Sequence, residues 1–416
     1  MENTKRNNLV AIILSVLLAY LTYQVVLYQL THILSDYTGH LTVYLPTFYE
    51  SWLKGWQTVP YCMWHLVVLG FHHMLHIPLA DAAALSSCVF SLFSFFVIYW
   101  MILRCTAASG KEAHSSKAAF VAFGLCVIQS LFFYWLDAGD RFLGPYSMNP
   151  VHNPTQMCVR PFSLLCFCLV YDIWNKQQDD AYAGVFFQMK GGLKKPFIYL
   201  SVFLFLSTLA KPTFAEMFIP AVGILMLAEW IRRMVKKDSS ASLYLKDCLH
   251  MLLCAVPSLA YIFLQFAAYF IWDVSYAGDE SVIVTEWLEV WSMFTENVVL
   301  SIAIGMAFPL FMILIDVRFY LKNNLGKLAL AGYAVGFFEA ALLGESGDKL
   351  GHGNFMWPMI SGMLLMWTAS TLHLLTLERT KRGTRLGRML IDGAWFLFCV
   401  HVLFGILYMK SLMTMG

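Results

Sequence analysis

Few side chains in this sequence can do proton or charge chemistry, and the best placed run together in Ser35-Asp36-Tyr37-Thr38-Gly39-His40. Asp36 follows directly on a long apolar run, which puts its carboxylate at a membrane boundary. Partial desolvation there can tune a carboxylate to take a proton from a hydroxyl, the work of a general base. The plainer alternative is a solvated acid at a helix end. Tyr37 and His40 would share its surroundings, His40 about one helical turn further on. Two cations stand out next, Arg160 in Cys-Val-Arg-Pro-Phe and Lys211 in Leu-Ala-Lys-Pro-Thr-Phe. Each is expected on the side of the bilayer where positive charge is disfavoured, which singles both out. Their alternative is to snorkel or to sit at a helix end. His152 and Asn153, in the His-Asn-Pro-Thr stretch ahead of Arg160, add hydrogen-bonding groups on a rigid turn, or else cap a loop.

A second polar group lies further along the chain. Glu345, Asp348, His352 and Asn354 share a short segment with Gly344, Gly347, Gly351 and Gly353. Glycines at that density permit a backbone that folds closely around a ligand. Glu216 and Glu339 fall inside apolar runs, where an acid is costly and either functional or paired. A turn at Lys211-Pro212-Thr213-Phe214 would bring Glu216 near Lys211. His65, His72 and His76 fall on one helical face, but no carboxylates accompany them, so no metal site is assigned there.

The elements that must position these groups follow from composition. Of 416 residues, 59% are apolar, 16% aromatic and 13% charged, against about 25% charged in an ordinary soluble domain. That excess excludes a soluble enzyme, and the abundance of aromatics excludes a disordered chain. The expected fold is all-α, a polytopic bundle of about 11 spanning helices of roughly 20 residues each. The apolar runs are 9–31, 80–103, 118–136, 158–175, 196–211, 213–231, 248–272, 297–316, 327–344, 355–377 and 389–411.

The segment 61–76 is short and carries His65, His72, His73 and His76, which makes it a poor span. If it stays out of the bilayer core, 22 of the 28 Lys and Arg fall in loops on one side, read as cytoplasmic together with the N-terminus. Residues 32–79 then form a long first outer loop. Leu41, Tyr44, Leu45, Phe48, Trp52, Leu53 and Trp56 make one amphipathic interfacial helix that Pro60 ends, and 61–76 makes a second.

The first run lacks a cleavage site and reads as an uncleaved helix, and residues 1–416 form a single domain. Eight of the ten cysteines lie in or beside apolar runs as small buried hydrophobes; Cys62 and Cys158 fall outside, where one bridge is conceivable. No Walker, dinucleotide-binding, zinc-protease or CxxC motif occurs, and no internal repeat is visible, which weakens a transporter reading. The acids and turn-rich loops gather on the outer side, so chemistry should face outward.

An uncleaved first helix, an acid just beyond it and a long outer loop of two interfacial helices before a polytopic bundle resemble the GT-C superfamily of membrane glycosyltransferases. The Asp36, Tyr37 and His40 arrangement is similar to that of many bacterial members. The resemblance covers most of the chain and maps the catalytic acid of the first outer loop onto Asp36, with His40 beside it. It implies a polyprenyl-phosphate-linked sugar donor and a glycan or glycolipid acceptor of the cell envelope. The reaction would be a single inverting displacement at the outer face of a bacterial plasma membrane. Tyr37, His152, Asn153, Arg160, Lys211, Glu345, His352 and Asn354 would then contact substrate. A divalent cation, Mg or Mn, could assist Asp36, although metal-independent members exist. The lipid bilayer, not nucleic acid, is the partner surface. No soluble C-terminal domain follows, so nothing marks a peptide acceptor. The competing readings are a polysaccharide polymerase or ligase and a lipid or solute transporter.

Overall fold

The computed structural model describes residues 2–32, 35–50, 61–108, 115–132, 147–189, 192–267, 282–380 and 383–414. Trp52, Leu53, Trp56, Pro60 and the acids Asp273, Asp279 and Glu280 lie outside the described residues, as does the side chain of Asp348. In chain order the helices that matter are α1 (Glu2–His32), α2 (Met63–Leu75), α3 (Leu79–Ala108), α4 (Ser115–Val127), α5 (Pro154–Gln178), α6 (Lys194–Ala210) and α7 (Thr213–Val235). They continue with α8 (Ala241–Phe266), α9 (Val298–Gly305), α10 (Ala307–Ile315), α11 (Asn324–Leu342), α12 (Met356–Thr380) and α13 (Arg385–Leu412). Among the described residues the strands are β1 (Val282–Val284) and β2 (Leu343–Glu345), paired antiparallel with Ile283 opposite Gly344.

The protein is an all-α, multi-pass membrane bundle. Among the described residues eight helices, α1, α3, α5, α7, α8, α11, α12 and α13, are long and apolar enough to cross a bilayer. The pair α9 and α10 makes a ninth crossing if its two halves, bent by 68°, count as one span. Pro309 explains that break, because it is tolerated in the first turn of α10 but cannot continue α9. The remaining two of the eleven apolar runs form helices too, α4 with 13 residues and α6 with 17. A helix of 13 residues covers only about 20 Å of a roughly 30 Å hydrocarbon core.

The 61–76 segment holds α2, a helix of 13 residues that is not among the candidate membrane spans. Tyr23 near the end of α1 donates to Asp81 at the start of α3 (2.5 Å), so the two helices run antiparallel and the chain between them returns to the same face. The segment 36–50 is continuously helical, its first turn closed by the Thr38 hydroxyl, which accepts from the Ser35 N–H at 2.7 Å.

Two helices form the axis of the bundle. Within their most apolar windows, 94% of α5 and 89% of α12 is buried inside the protein, against 28% to 61% for the other spans. Helices apolar on every side belong at the centre of a bundle. Close backbone approach ties α12 to α11: a Cβ on Gly336 would stand 2.6 Å from Met359 Cα, and one on Gly362 would stand 2.8 Å from Tyr333 Cα.

The end of α4 shows what a dry interior demands. The helix stops at Val127 inside the bundle, leaving carbonyls that no water can reach. Arg160 of α5 donates to the Leu125 and Cys126 carbonyls (2.9 and 3.2 Å), and the Asn149 amide donates to the Val127 carbonyl (2.8 Å). The guanidinium also meets the negative end of the α4 dipole. Beyond Val127 the chain binds α13, where the His401 Nδ1 and the Gln129 carbonyl lie 2.8 Å apart. This fixes Arg160, expected as a substrate contact, as a structural clamp only 6% exposed. Arg160→Ala should lower the unfolding temperature in detergent and cost roughly 1–3 kcal/mol per abandoned carbonyl. Thermal unfolding of the purified protein checks this.

Candidate functional site

The candidate site is built around the start of α5. Asn153 caps that helix, its Oδ1 accepting from the Gln156 N–H at 2.8 Å, and Pro154 follows as the first helical residue. The same carboxamide turns its Nδ2 to Asp36, donating to Oδ2 at 2.7 Å. Its Oδ1 also lies 3.4 Å from the Lys211 ammonium, which reaches in from the junction of α6 and α7. One amide therefore links an acid, a cation and a helix N-terminus. The positive end of a 25-residue helix thus lies beside the Asp36 carboxylate, a favourable arrangement of dipole and acid.

Asp36 itself is exposed, and its Oδ1 makes no hydrogen bond among the described residues. Its position is fixed by its neighbour. Tyr37 is fully buried, and its hydroxyl donates to Ser87 Oγ on α3 (3.0 Å) and lies 3.2 Å from Met157 Sδ on α5. Trp64 of α2 donates to the same serine at 3.3 Å and packs edge-on against the tyrosine ring. Tyr37, expected as a substrate contact, is thus an anchor with no surface to offer.

His40 departs from expectation in the same way. Its Nδ1 lies 3.1 Å from His65 Nε2, and the rings of Tyr44, Tyr61 and Trp64 surround it. Burial, with smaller contributions from His65 and Lys211, pushes it well below the usual imidazole range, so it is neutral. It binds the 36–50 helix to α2 and does not accompany the Asp36 carboxylate. His65, His72 and His76 do not converge: His65 pairs with His40, His72 Nδ1 lies 2.7 Å from the Ile77 carbonyl, and His76 is exposed.

Lys211 is 7% exposed, with its ammonium 3.9 Å from the centre of the Trp357 ring at the head of α12. Burial lowers its pKa to about 7, while the negative charges of Asp36 and Glu216 oppose the drop. His152 stands beside this cluster, its Nδ1 3.0 Å from the Tyr408 hydroxyl and its ring 5.6 Å from Trp357. Burial first, then the Lys211 charge, pushes His152 down to about 3, so it too is neutral and Lys211 is the cation of the cluster. Glu216 interacts electrostatically with Lys211, and Glu339 with Glu216, which extends the polar cluster into α7 and α11.

The structure therefore brings Asp36, His152, Asn153 and Lys211 together. It holds the 344–354 segment as a unit of its own: Asn354 donates to Glu345 at 2.8 Å, β2 pairs with β1, and His352 is exposed. That segment adjoins the cluster through Trp357, three residues past Asn354. Trp357 and Tyr408 complete the cluster, and the sequence carried no signal for either beyond residue type. Cys62 and Cys158 are both buried free thiols. Among the described residues no group of three or more His, Cys, Asp or Glu could hold a metal.

An exposed carboxylate beside a buried cation on a shared amide can accept a proton and bind an anion. No family model matches the chain, and a comparison with curated proteins finds no relative. The fold and this cluster define a multi-pass membrane protein with a polar site at one mouth of its bundle.

The lowered pKa of Lys211 has a sign that can be measured. Between about 7 and its unfolded value of about 10.4, the unfolded chain binds more protons than the folded one. Stability from this group therefore rises with pH across that window and is absent below it. Wild-type protein should gain stability relative to Lys211→Met as pH is raised from 7 toward 10, read as the difference in unfolding temperature in detergent.

Proposed function

We propose that this protein is a membrane glycosyltransferase. It moves a sugar from a polyprenyl-phosphate donor to a hydroxyl of a glycan or glycolipid at the outer face of the plasma membrane. The observation that carries this reading is the single Asn153 amide shared by an exposed Asp36 and a buried Lys211. The acceptor oxygen attacks the anomeric carbon and its proton passes to the Asp36 carboxylate. The bond from that carbon to the phosphate oxygen breaks, its electron pair leaves with the lipid phosphate, and the configuration inverts. Lys211, held over Trp357, meets the negative charge that develops on the leaving phosphate. Asn153 keeps acid and cation apart by one amide, so neither neutralises the other.

One observation favours a second reading, passage of a lipid or solute: the acids Glu216 and Glu339 carry polar character from the mouth into α7 and α11. The two separate on reconstituted protein. Asp36→Asn should lower turnover with a polyprenyl-phosphate sugar by about a hundredfold or more, the usual span for a lost general base, with the unfolding temperature unchanged. Lys211→Met should mainly raise the donor KM, by about tenfold or more for a lost charge-assisted contact. Full transfer activity in Asp36→Asn would overturn the enzyme reading. Substrate movement across the bilayer that persists in Asp36→Asn and stops in Glu339→Gln would establish the second.

A further inference from the structure

A cavity of about 270 Å3 lies between α6, α7 and α8 with α5 at its floor, and none of Asp36, His152, Asn153 and Lys211 lines it. Its lining is apolar, including Leu204, Phe218, Gly223, Met226, Trp230 and Leu245. Leu227, Leu249 and Leu252 on its rim are exposed, so it opens sideways into the region a bilayer would fill. Along α7 the groove runs from Phe218 to Trp230, about 18 Å at the helical rise, close to half of a roughly 30 Å hydrocarbon core. Its length is thus that of one leaflet.

The end of the groove at Trp230 and Leu245 is bordered by an excess of positive charge. Lys194 and Lys195 open α6, Arg232, Arg233, Lys236 and Lys237 close α7, and Lys246 follows Leu245 in α8. The acids Glu229, Asp238 and Asp247 are interspersed with these seven cations, and Asp180 lies close enough to act on Asp247. Glu229 holds Arg232 and Arg233 at 2.6 and 2.9 Å, and Arg233 lies 4.4 Å from the Tyr244 ring centre, which ties the ends of α7 and α8 together across this mouth. Lys194, Lys195, Lys236 and Lys246 are exposed.

We infer that this groove is a binding site for one anionic glycerophospholipid of the leaflet on the basic face, with an acyl chain along α7 and its phosphate among the lysines that start α6 and α8. An apolar slot of one-leaflet length with a cationic rim matches that amphiphile at both ends, where a zwitterionic lipid would match only the slot. The inference is independent of the chemistry at Asp36. Gly223 supplies a clean way to block the slot, because a Cβ placed there meets nothing within 4 Å.

The test uses the full chain, purified and stripped of lipid in detergent, with phosphatidylglycerol and phosphatidylcholine of identical acyl chains. Native mass spectrometry reads the retained lipid, and unfolding temperature reads its effect. Phosphatidylglycerol should be retained at about tenfold lower added concentration than phosphatidylcholine and should raise the unfolding temperature more. Gly223→Phe should abolish retention of both, and the combined Lys194→Gln, Lys195→Gln, Lys246→Gln variant should keep retention but remove the preference. Equal retention of the two lipids by the wild type would overturn the proposal, as would unchanged retention in Gly223→Phe. Displacement of phosphatidylglycerol by an equimolar polyprenyl phosphate would also overturn it, by assigning the slot to a different lipid.

Discussion

Inside a membrane bundle no water is at hand for backbone groups that a helix leaves free, and the early stop of α4 makes that constraint severe. Three successive carbonyls, those of Leu125, Cys126 and Val127, need donors at a depth where only side chains can supply them. Arg160 and Asn149 do so, and their placement dictates what comes next. Residues 147–153 must be packed within protein, as they are, every one of them buried. The chain then re-enters a helix at Asn153, deep enough for that cap to meet α1 and the α6–α7 junction. Gln29 of α1 secures the approach by donating to the Val151 carbonyl at 3.1 Å.

The candidate site is a product of this arrangement. A helix of the usual length in place of α4 would carry 147–153 to the surface, and Asn153 would cap α5 in water. Because α4 is short, the start of α5 is recessed, and Lys211 can be both buried and within reach of an exposed carboxylate. The neutral imidazoles of His40 and His152 follow from the same dryness: burial removes their charge and leaves Lys211 as the positive group. The lipid groove has a different origin. It lies between α6, α7 and α8, and its lining carries none of the site's polar groups.

Much of the fold is legible in the residues. The apolar runs are long and separated by charge, so the position of each helix follows from hydropathy alone. The reading of 61–76 as a segment outside the bilayer core rests on four histidines in a short segment and on the one-sided distribution of Lys and Arg. The candidate acid, its partner amide and the buried lysine are each visible as a polar residue in an awkward place. Their roles are less legible. Arg160 and Lys211 present the same signal, a cation next to apolar sequence and proline, yet one clamps carbonyls and the other faces a site. Tyr37 and His40 lie in the same short stretch as Asp36, yet both turn inward to Ser87 and His65.

What the sequence by itself determined is the partition of the chain between lipid and water, because transfer free energy is summed over local segments and needs no knowledge of neighbours. It also determined which polar residues are costly enough to require a reason. The tertiary structure alone decided what satisfies each of them. The helix at 115–127 ends where Ser147 and Asn149, about twenty residues further along the chain, bond to Gln129 just beyond it, with no proline or glycine at the stop. Trp357 and Tyr408 join Lys211 and His152 across separations of 146 and 256 residues. Hydrogen bonds and cation–aromatic contacts are made at a few ångströms in space, and only the packing of helices sets which residues come that close.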